Sequence, residues 1–323
     1  MSISLETALA YQHRGRQLWN RAAKECGCKS SSLLPGDFVG WLLSILPSLK
    51  PASRRQYLAS TREWLGCLKC RASNTKDVTQ SFSEAITSLS HYSSCDFGYS
   101  KKVNPRRGNT SSQKAKQFKH DDLIKLINAA KEMSSKWAMP SVVWMAANSI
   151  VGLRPIEWKS AYLEVVDGEK ILVVLNAKNT NGRSHGKLRH LNLTKINEAE
   201  LSLILRQLNI AGRYNSDDAT WTRYYNAIRL TIYHMTRNVL SNRRKYPTLY
   251  STRHQFAANA KAADLGKSEI AALMGHAVDT TATMHYGRKK HGTGRFGVNP
   301  VAAEVLRIKV RSKQECSNKS IMR

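Results

Sequence analysis

Acidic residues are scarce in this chain of 323: 23 Asp and Glu stand against 51 Lys and Arg, a formal charge of +28. Solubility needs far less, so the excess implies a polyanionic partner. Long apolar runs are missing too. No stretch approaches the roughly 18 apolar residues of a membrane-crossing helix. The opening MSISLETALAYQHRG lacks the charged start and continuous apolar stretch of a secretion signal. No membrane is expected, and a cytoplasmic location is. Cysteine is limited to Cys26, Cys28, Cys67, Cys70, Cys95 and Cys316, expected to be reduced. CGC and CLKC raise a four-thiolate zinc site. Against it, Cys67 and Cys70 fall in a run that reads as one helix, and Cys-x-Cys is unusual spacing for structural zinc. No metal and no cofactor are expected. Internal repeats are absent.

What is abundant is positive charge spread along the whole chain, including Arg54, Arg55, Lys101, Lys102, Arg106, Arg107, Arg243 and Arg244. A disordered basic arm concentrates its charge at one end. This distribution points to folded domains lining a charged track, and to nucleic acid better than to a lipid surface; those eight residues are the candidate DNA contacts. The length suits two modest domains. Residues 1–95 read as helical, with helical spacing in DFVGWLLSILPSL, in RRQYLASTREWLGCL and in KDVTQSFSEAITSLS. Residues 96–117 are rich in Gly, Ser, Asn and basic residues and read as a basic linker.

Residues 118–290 read as a second, mainly α domain with a small antiparallel sheet. FKHDDLIKLINAAKEM is an amphipathic helix with acids in its first turn, and AMPSVVWMAANSIVG is a buried helix. KILVVLNAK and GKLRHLNL are β-rich runs joined by a turn, a hairpin. Helices follow in NEAELSLILRQLNIA, TRYYNAIRLTIYHMTRNVL, STRHQFAANAKAADL and SEIAALMG, the last stopped by Gly275. Asp279 is expected to N-cap DTTATMHY. Residues 291–323 form a tail in which Asn299 and Pro300 are expected to open a helix. Val301, Val305 and Ile308 share one stripe of it, suited to docking on a neighbouring protomer or on its own chain.

Five side chains stand where such elements end. Arg154 lies in GLRPIEW, Lys178 at the hairpin tip in NAKNTNG, Arg253 in YSTRHQF, His276 in MGH and Tyr286 ten residues later. Each has a plain structural reading: arginines solvated, a His or Tyr near a helix end packed. Together they also supply what a tyrosine needs to attack a phosphodiester. Its phenol, with a pKa of roughly 10, needs its proton taken or its anion favoured. The pentacoordinate phosphorane needs guanidinium forks. The departing oxygen needs an acid.

In their order, GLRPIEW, TRHQFAANAKAADLGKSEIAALMGH and the terminal Tyr286 resemble the catalytic domain of the tyrosine recombinase (phage integrase) family, over about Phe118 to Arg288. The helical N-terminal part resembles that family's DNA-binding domain by position and helical character. The resemblance implies that Arg154 and Arg253 clamp the scissile phosphate and that His276 hydrogen-bonds it or assists proton movement. It implies that Tyr286 becomes 3′-phosphotyrosyl-linked and that Lys178, with Lys187 as the fallback, protonates the leaving 5′-hydroxyl. Two positions depart from the family pattern. Tyr250 occupies the usual His site three residues before Arg253, and a phenol is a poor general base at pH 7. The interval from His276 to Tyr286 is one residue longer than usual, which turns a helix by about 100°. His254 and His285 are expected to point elsewhere.

The implied reaction is site-specific DNA recombination or integration of a mobile element without metal or ATP. No carboxylate cluster is seen for metal-dependent strand transfer. The assembly is a tetramer on two DNA sites, nucleoid-associated, with DNA-bending accessory proteins as candidate partners. Two other readings stay open: a recombinase-like DNA-binding protein weakened in catalysis, and a relaxing enzyme of the type IB topoisomerase kind. Two domains and a basic linker suggest a clamp around duplex DNA. Affinity for duplex DNA is then expected to fall about 10³-fold or more between about 50 and 200 mM salt, which a binding titration against salt checks.

Overall fold

The computed structural model describes residues 3, 5–72, 76–92, 115–177, 179 and 182–311. Lys178 and the linker residues Lys101, Lys102, Arg106 and Arg107 lie outside the described residues, as do Cys95 and Cys316. Contacts divide the chain into two units, Met1–Arg107 and Gly108–Arg323.

Among its described residues the first unit holds four α-helices: α1 Leu5–Glu25, α2 Pro35–Ile45, α3 Pro51–Arg71 and α4 Lys76–Ser90. Its core joins Trp19, Phe38, Leu42, Leu58, Leu65 and Leu89. Helices α1 and α3 approach closely because position 15 is glycine; a Cβ there would lie 2.3 Å from Cβ of Trp64. Arg54 is a correction to the candidate DNA contacts. It is 2 % exposed and donates from Nε to the carbonyls of Leu46 and Leu49 and from Nη2 to that of Pro47, each at 2.9 Å. The turn between α2 and α3 leaves carbonyls without helical partners, and the guanidinium satisfies them. Arg55, the next residue, is exposed.

The second unit is mainly helical around one four-stranded antiparallel sheet. Its helices before the sheet are α5 His120–Glu132 and α6 Ala138–Val151; the sheet opens with β1 Tyr162–Val166, β2 Glu169–Leu175 and β3 Leu188–Asn192. Then come α7 Glu198–Gly212, α8 Asp218–Val239, α9 Leu249–Ala262, α10 Lys267–Leu273 and α11 Thr280–His285, followed by β4 Asn299–Pro300 and α12 Ala302–Val305. The strands run in the order β1-β2-β3-β4. β2 and β3 pair with Val173 opposite His190, the hairpin expected from the sequence. β1 is an addition, joined to β2 through Asp167 and Gly168, both with positive φ, as a two-residue hairpin turn requires. Helix α6 is the buried centre, packed by α5, α7, α8 and α9, with Trp144, Met145, Ala147 and Val151 fully covered.

The tail differs from its expected form. Asn299 and Pro300 pair with β3 rather than opening a helix, and α12 has four residues, N-capped by Val301. Val305 and Ile308 pack on Ala271 and Ala272 of the same chain. Glu304 is buried and accepts from the His190 backbone N at 3.1 Å. The stripe therefore covers its own α10. Asp279 does not cap α11 through its side chain; its Oδ1 accepts from the Arg311 backbone N at 3.2 Å. Among the described residues no helix is long and apolar enough to cross a membrane. None of them form a group of three or more His, Cys, Asp or Glu able to hold a metal.

Gly152 ends α6 with φ 64°, and a Cβ there would lie 2.3 Å from Cδ1 of buried Phe256. Gly168 has φ 81° and open space around it. Both positions would force an alanine into the left-handed region, at about 1–2 kcal/mol; only Gly152→Ala also overpacks a core, adding about 1–3 kcal/mol. Urea unfolding is expected to show Gly152→Ala as the more damaging of the two.

Candidate active site

Arg154 is the residue after the Gly152-Leu153 turn that closes α6, and it caps the 3-10 turn Pro155–Lys159. Glu157 in that turn is 1 % exposed. Its carboxylate accepts from Arg154 N at 2.6 Å and from Arg154 Nη1 at 2.7 Å. It also accepts from Nη2 of Arg189, on β3, at 2.7 Å. Arg253 Nη1, from the second turn of α9, lies 3.9 Å from the same carboxylate. Three guanidiniums from three elements thus surround one acid. Arg154 and Arg253, 99 residues apart in sequence number, converge.

Asn148 and Arg189 brace this cluster. Asn148 of α6 donates to Thr252 Oγ1 of α9 at 2.8 Å and accepts from Trp158 Nε1 at 3.0 Å. Arg189 donates from Nε to the Leu273 carbonyl at 3.0 Å and from Nη1 to Asn176 Oδ1 at 2.5 Å. It thereby joins the sheet to the end of α10. There Gly275 takes φ 63°, and a Cβ would fall 2.3 Å from Asn176 Oδ1; the turn that presents His276 therefore needs glycine. Arg253 is fully buried. It donates from Nη1 to the Gly152 carbonyl and from Nη2 to the Met274 carbonyl, the latter at 2.6 Å. Among the described residues, Nε of Arg154, Nε of Arg253 and Nδ1 of His276 are buried without a hydrogen-bond partner.

Tyr286 lies directly after α11, half-buried over this cluster. The Arg253 guanidinium is 5.4 Å from its ring centroid. The rings of His276 and His254 are 5.3 and 5.1 Å away, and Tyr250 Oη is 3.4 Å from Tyr286 Oη. A cleft of about 760 Å³ opens here. Arg154, Tyr250, His254, His276 and Tyr286 line it, with Lys116, Arg183 and Arg311 adding cations.

Of the residues proposed from the sequence, Arg154, Arg253, His276, Tyr250 and Tyr286 are brought together. Lys187 is exposed, and its carbonyl accepts from Asn176 N at 2.9 Å. Arg243 is engaged with both forks by Asp122, at 2.7 Å each, while Arg244 is exposed. His285 is exposed at the cleft rim. His254 does not point elsewhere: the chain after α11 returns along α9, so positions 250 and 254, one helical turn apart, both face Tyr286. Glu157 and Arg189 are not singled out by the sequence. Only the hydrogen bonds made at a distance reveal them.

The field of the arginines sets the titrations. Burial raises the Tyr286 phenol, but the Arg253 charge, the contact with the Tyr250 hydroxyl and then Arg253 and Arg154 outweigh it, and the net shift is downward. Tyr250 moves upward, through burial and the neighbouring Tyr286 charge. Burial raises Glu157 as well, yet Arg189, followed by Arg253, holds it far below the usual carboxylate range. Burial and the charges of Arg253, Arg154 and Arg189 push His276 far down. Burial, then Lys116, Arg253 and Lys261, takes His254 down to about 4.

These imidazoles give a pH dependence with a fixed sign. Their native values lie below the unfolded one near 6.5, so the unfolded chain binds protons that the native chain refuses. Stability is full above about pH 6.5 and declines as pH falls toward 4. Urea unfolding at pH 7 and pH 5 is expected to show the loss, and His254→Gln is expected to reduce it by the His254 share while the His276 share remains.

No protein-family profile matches the sequence, and no curated protein matches it. Solved structures with a similar course of chain include a XerH site-specific recombinase bound to palindromic difH substrate in a post-cleavage complex. That likeness has 12 % identity and a TM-score of 0.43, over 80 % of this chain and 69 % of that one. A lambda integrase dimer bound to a COC′ core site gives 15 % identity and a TM-score of 0.43, over 91 % and 90 %. A lambda integrase tetramer bound to a Holliday junction gives 15 % and 0.42, over 90 % and 74 %.

Proposed function

We propose that this chain is a site-specific DNA recombinase or integrase that cuts and rejoins strands through Tyr286. The observation that carries the reading is the meeting of Arg154 and Arg253 at Glu157, with the Tyr286 ring over Arg253. Three guanidiniums against one carboxylate leave positive charge in excess beneath the cleft. Buried guanidinium donors on Arg154 and Arg253 without partners among the described residues are the complement of a phosphodiester's oxygens.

In this reading the Tyr286 oxygen attacks phosphorus, the 5′-oxygen leaves, and a 3′-phosphotyrosine stores the bond for rejoining. Arg154 and Arg253 hold the phosphorane oxygens as charge accumulates there. The lowered Tyr286 phenol increases the ionised fraction at neutral pH. Neutral His276 can accept the phenolic proton, and an anion in the cleft offsets part of the positive field that depresses it. Lys178 is the proposed acid for the leaving hydroxyl. Positive charge at the cleft from Lys116, Arg183 and Arg311 favours a DNA backbone. Arg55 and Arg244 are proposed DNA contacts, and strand exchange by this chemistry needs four protomers on two duplexes.

One observation favours a second reading, a DNA-binding protein that does not cut. Tyr250, at the place where a His serves the family, shifts upward, so at neutral pH it stays protonated and is still less available as a base than an ordinary phenol. A library of randomised duplexes nicked at varied positions, in EDTA, separates the two. An adduct that survives denaturant, is absent in Tyr286→Phe and falls about 10²–10³-fold in Arg154→Ala is expected. Tight binding with no adduct in any library member supports the second reading. Sequencing the DNA from the adduct identifies the target.

A further inference from the structure

Tyr286 follows an element with little of its own to hold it in place. α11 has six residues and one buried side chain, Ala282, too short to persist by its own hydrogen bonds. Met284 is exposed. The segment is nevertheless seated tightly on α9. Lys261, half-buried on that helix, donates from Nζ to the carbonyls of Ala282 at 3.0 Å and Gly287 at 2.7 Å, and reaches that of Tyr286 at 3.5 Å. Its three donors meet carbonyls on both sides of the tyrosine, where the end of a helix favours a cation. Among the described residues it makes no ion pair.

The backbone beyond the tyrosine reinforces the seat. A Cβ at Gly287 would lie 2.3 Å from the His254 carbonyl oxygen, and one at Gly292 would lie 2.3 Å from that of Ala258. Gln255 Nε2 donates to the His291 carbonyl at 2.7 Å. The chain after Tyr286 therefore runs along α9 at backbone contact distance. Among the described residues, Lys261 is the one side chain that grips the chain both before the tyrosine, at Ala282, and after it, at Gly287.

We propose that Lys261 is a positioning residue whose ammonium ties the carbonyls flanking Tyr286 to α9, holding the phenolic oxygen over the guanidiniums of Arg253 and Arg154. This rests on Tyr286 being the nucleophile, as proposed above. The energetic logic is orientation: an attacking oxygen displaced by about 1 Å can lose about 10²-fold in rate. DNA binding, carried by cations elsewhere, is untouched.

Lys261→Met keeps the stem and removes the donors, and Lys261→Arg keeps donors at a similar reach. With the full chain on its adduct-forming nicked duplex, the Met variant is expected to bind with unchanged affinity and unfold at an unchanged temperature. Its adduct rate is expected to fall about 10- to 100-fold, and the Arg variant to recover most of it. Amide exchange across residues 280–287, read without DNA, is expected to quicken in the Met variant alone. A Met variant that forms adduct at the wild-type rate overturns the proposal, as does a loss of adduct that only follows lost DNA affinity. If the wild-type chain forms no adduct, the nucleophile reading fails instead. Exchange at 280–287 then judges the Lys261 tie alone, and an unchanged rate there overturns it.

Discussion

A carboxylate held between guanidiniums in a dry interior is the constraint on which the rest of the second unit depends. Glu157 and Arg189 are both fully enclosed, and neither charge is tolerable there without the other. Stripping one partner from such a pair leaves a buried charge, at about 3–5 kcal/mol. One acid cannot compensate three arginines. The backbone carbonyls of Gly152, Leu273 and Met274 therefore take up further donors, and the chain must bring the ends of α6 and α10 to one point. The site is not an addition to a finished fold. The convergence of helix ends that closes the core also makes the charged floor of the cleft.

The same floor acts on everything above it. A positive field favours the anion of a phenol and disfavours the cation of an imidazole, so Tyr286 moves down while His276 moves down and stays neutral. One electrostatic cause thus favours the anionic form of a phenol and the uncharged form of an imidazole. The Tyr250–Tyr286 pair adds an asymmetry: the two phenol oxygens lie 3.4 Å apart, with Tyr250 shifted upward and Tyr286 downward.

Local signals carried most elements. Apolar period 3.6 marks α5 and α6, and the two β-rich runs mark β2 and β3. β1 was equally legible, because Asp167-Gly168 between YLEVV and EKILVVL is a strong two-residue hairpin signal. Asn299-Pro300 shows the opposite failure. The pair has the chemistry of a helix start, yet the free edge of β3 takes it as a strand, and a tertiary partner overrides the local preference. Arg54 looks like a surface cation beside Arg55, and only the turn folding over it shows that its donors belong to three carbonyls. His254 looks redundant until the returning chain brings Tyr286 against its face of α9.

The sequence by itself determined the mainly helical class, the hairpin and the excess of positive charge. It also determined which residue types stand at the helix ends, Arg154, Arg253, His276 and Tyr286 among them. These follow from periodicity, composition and short motifs, which act within a few residues. Only the tertiary structure decided that two arginines meet at one acid, that Arg189 completes the cluster, that the tail covers its own α10 and that Lys261 grips the segment of Tyr286. Such facts depend on contacts between residues far apart in the chain, where burial sets the strength of each charge, and no local pattern records which helix end will face which.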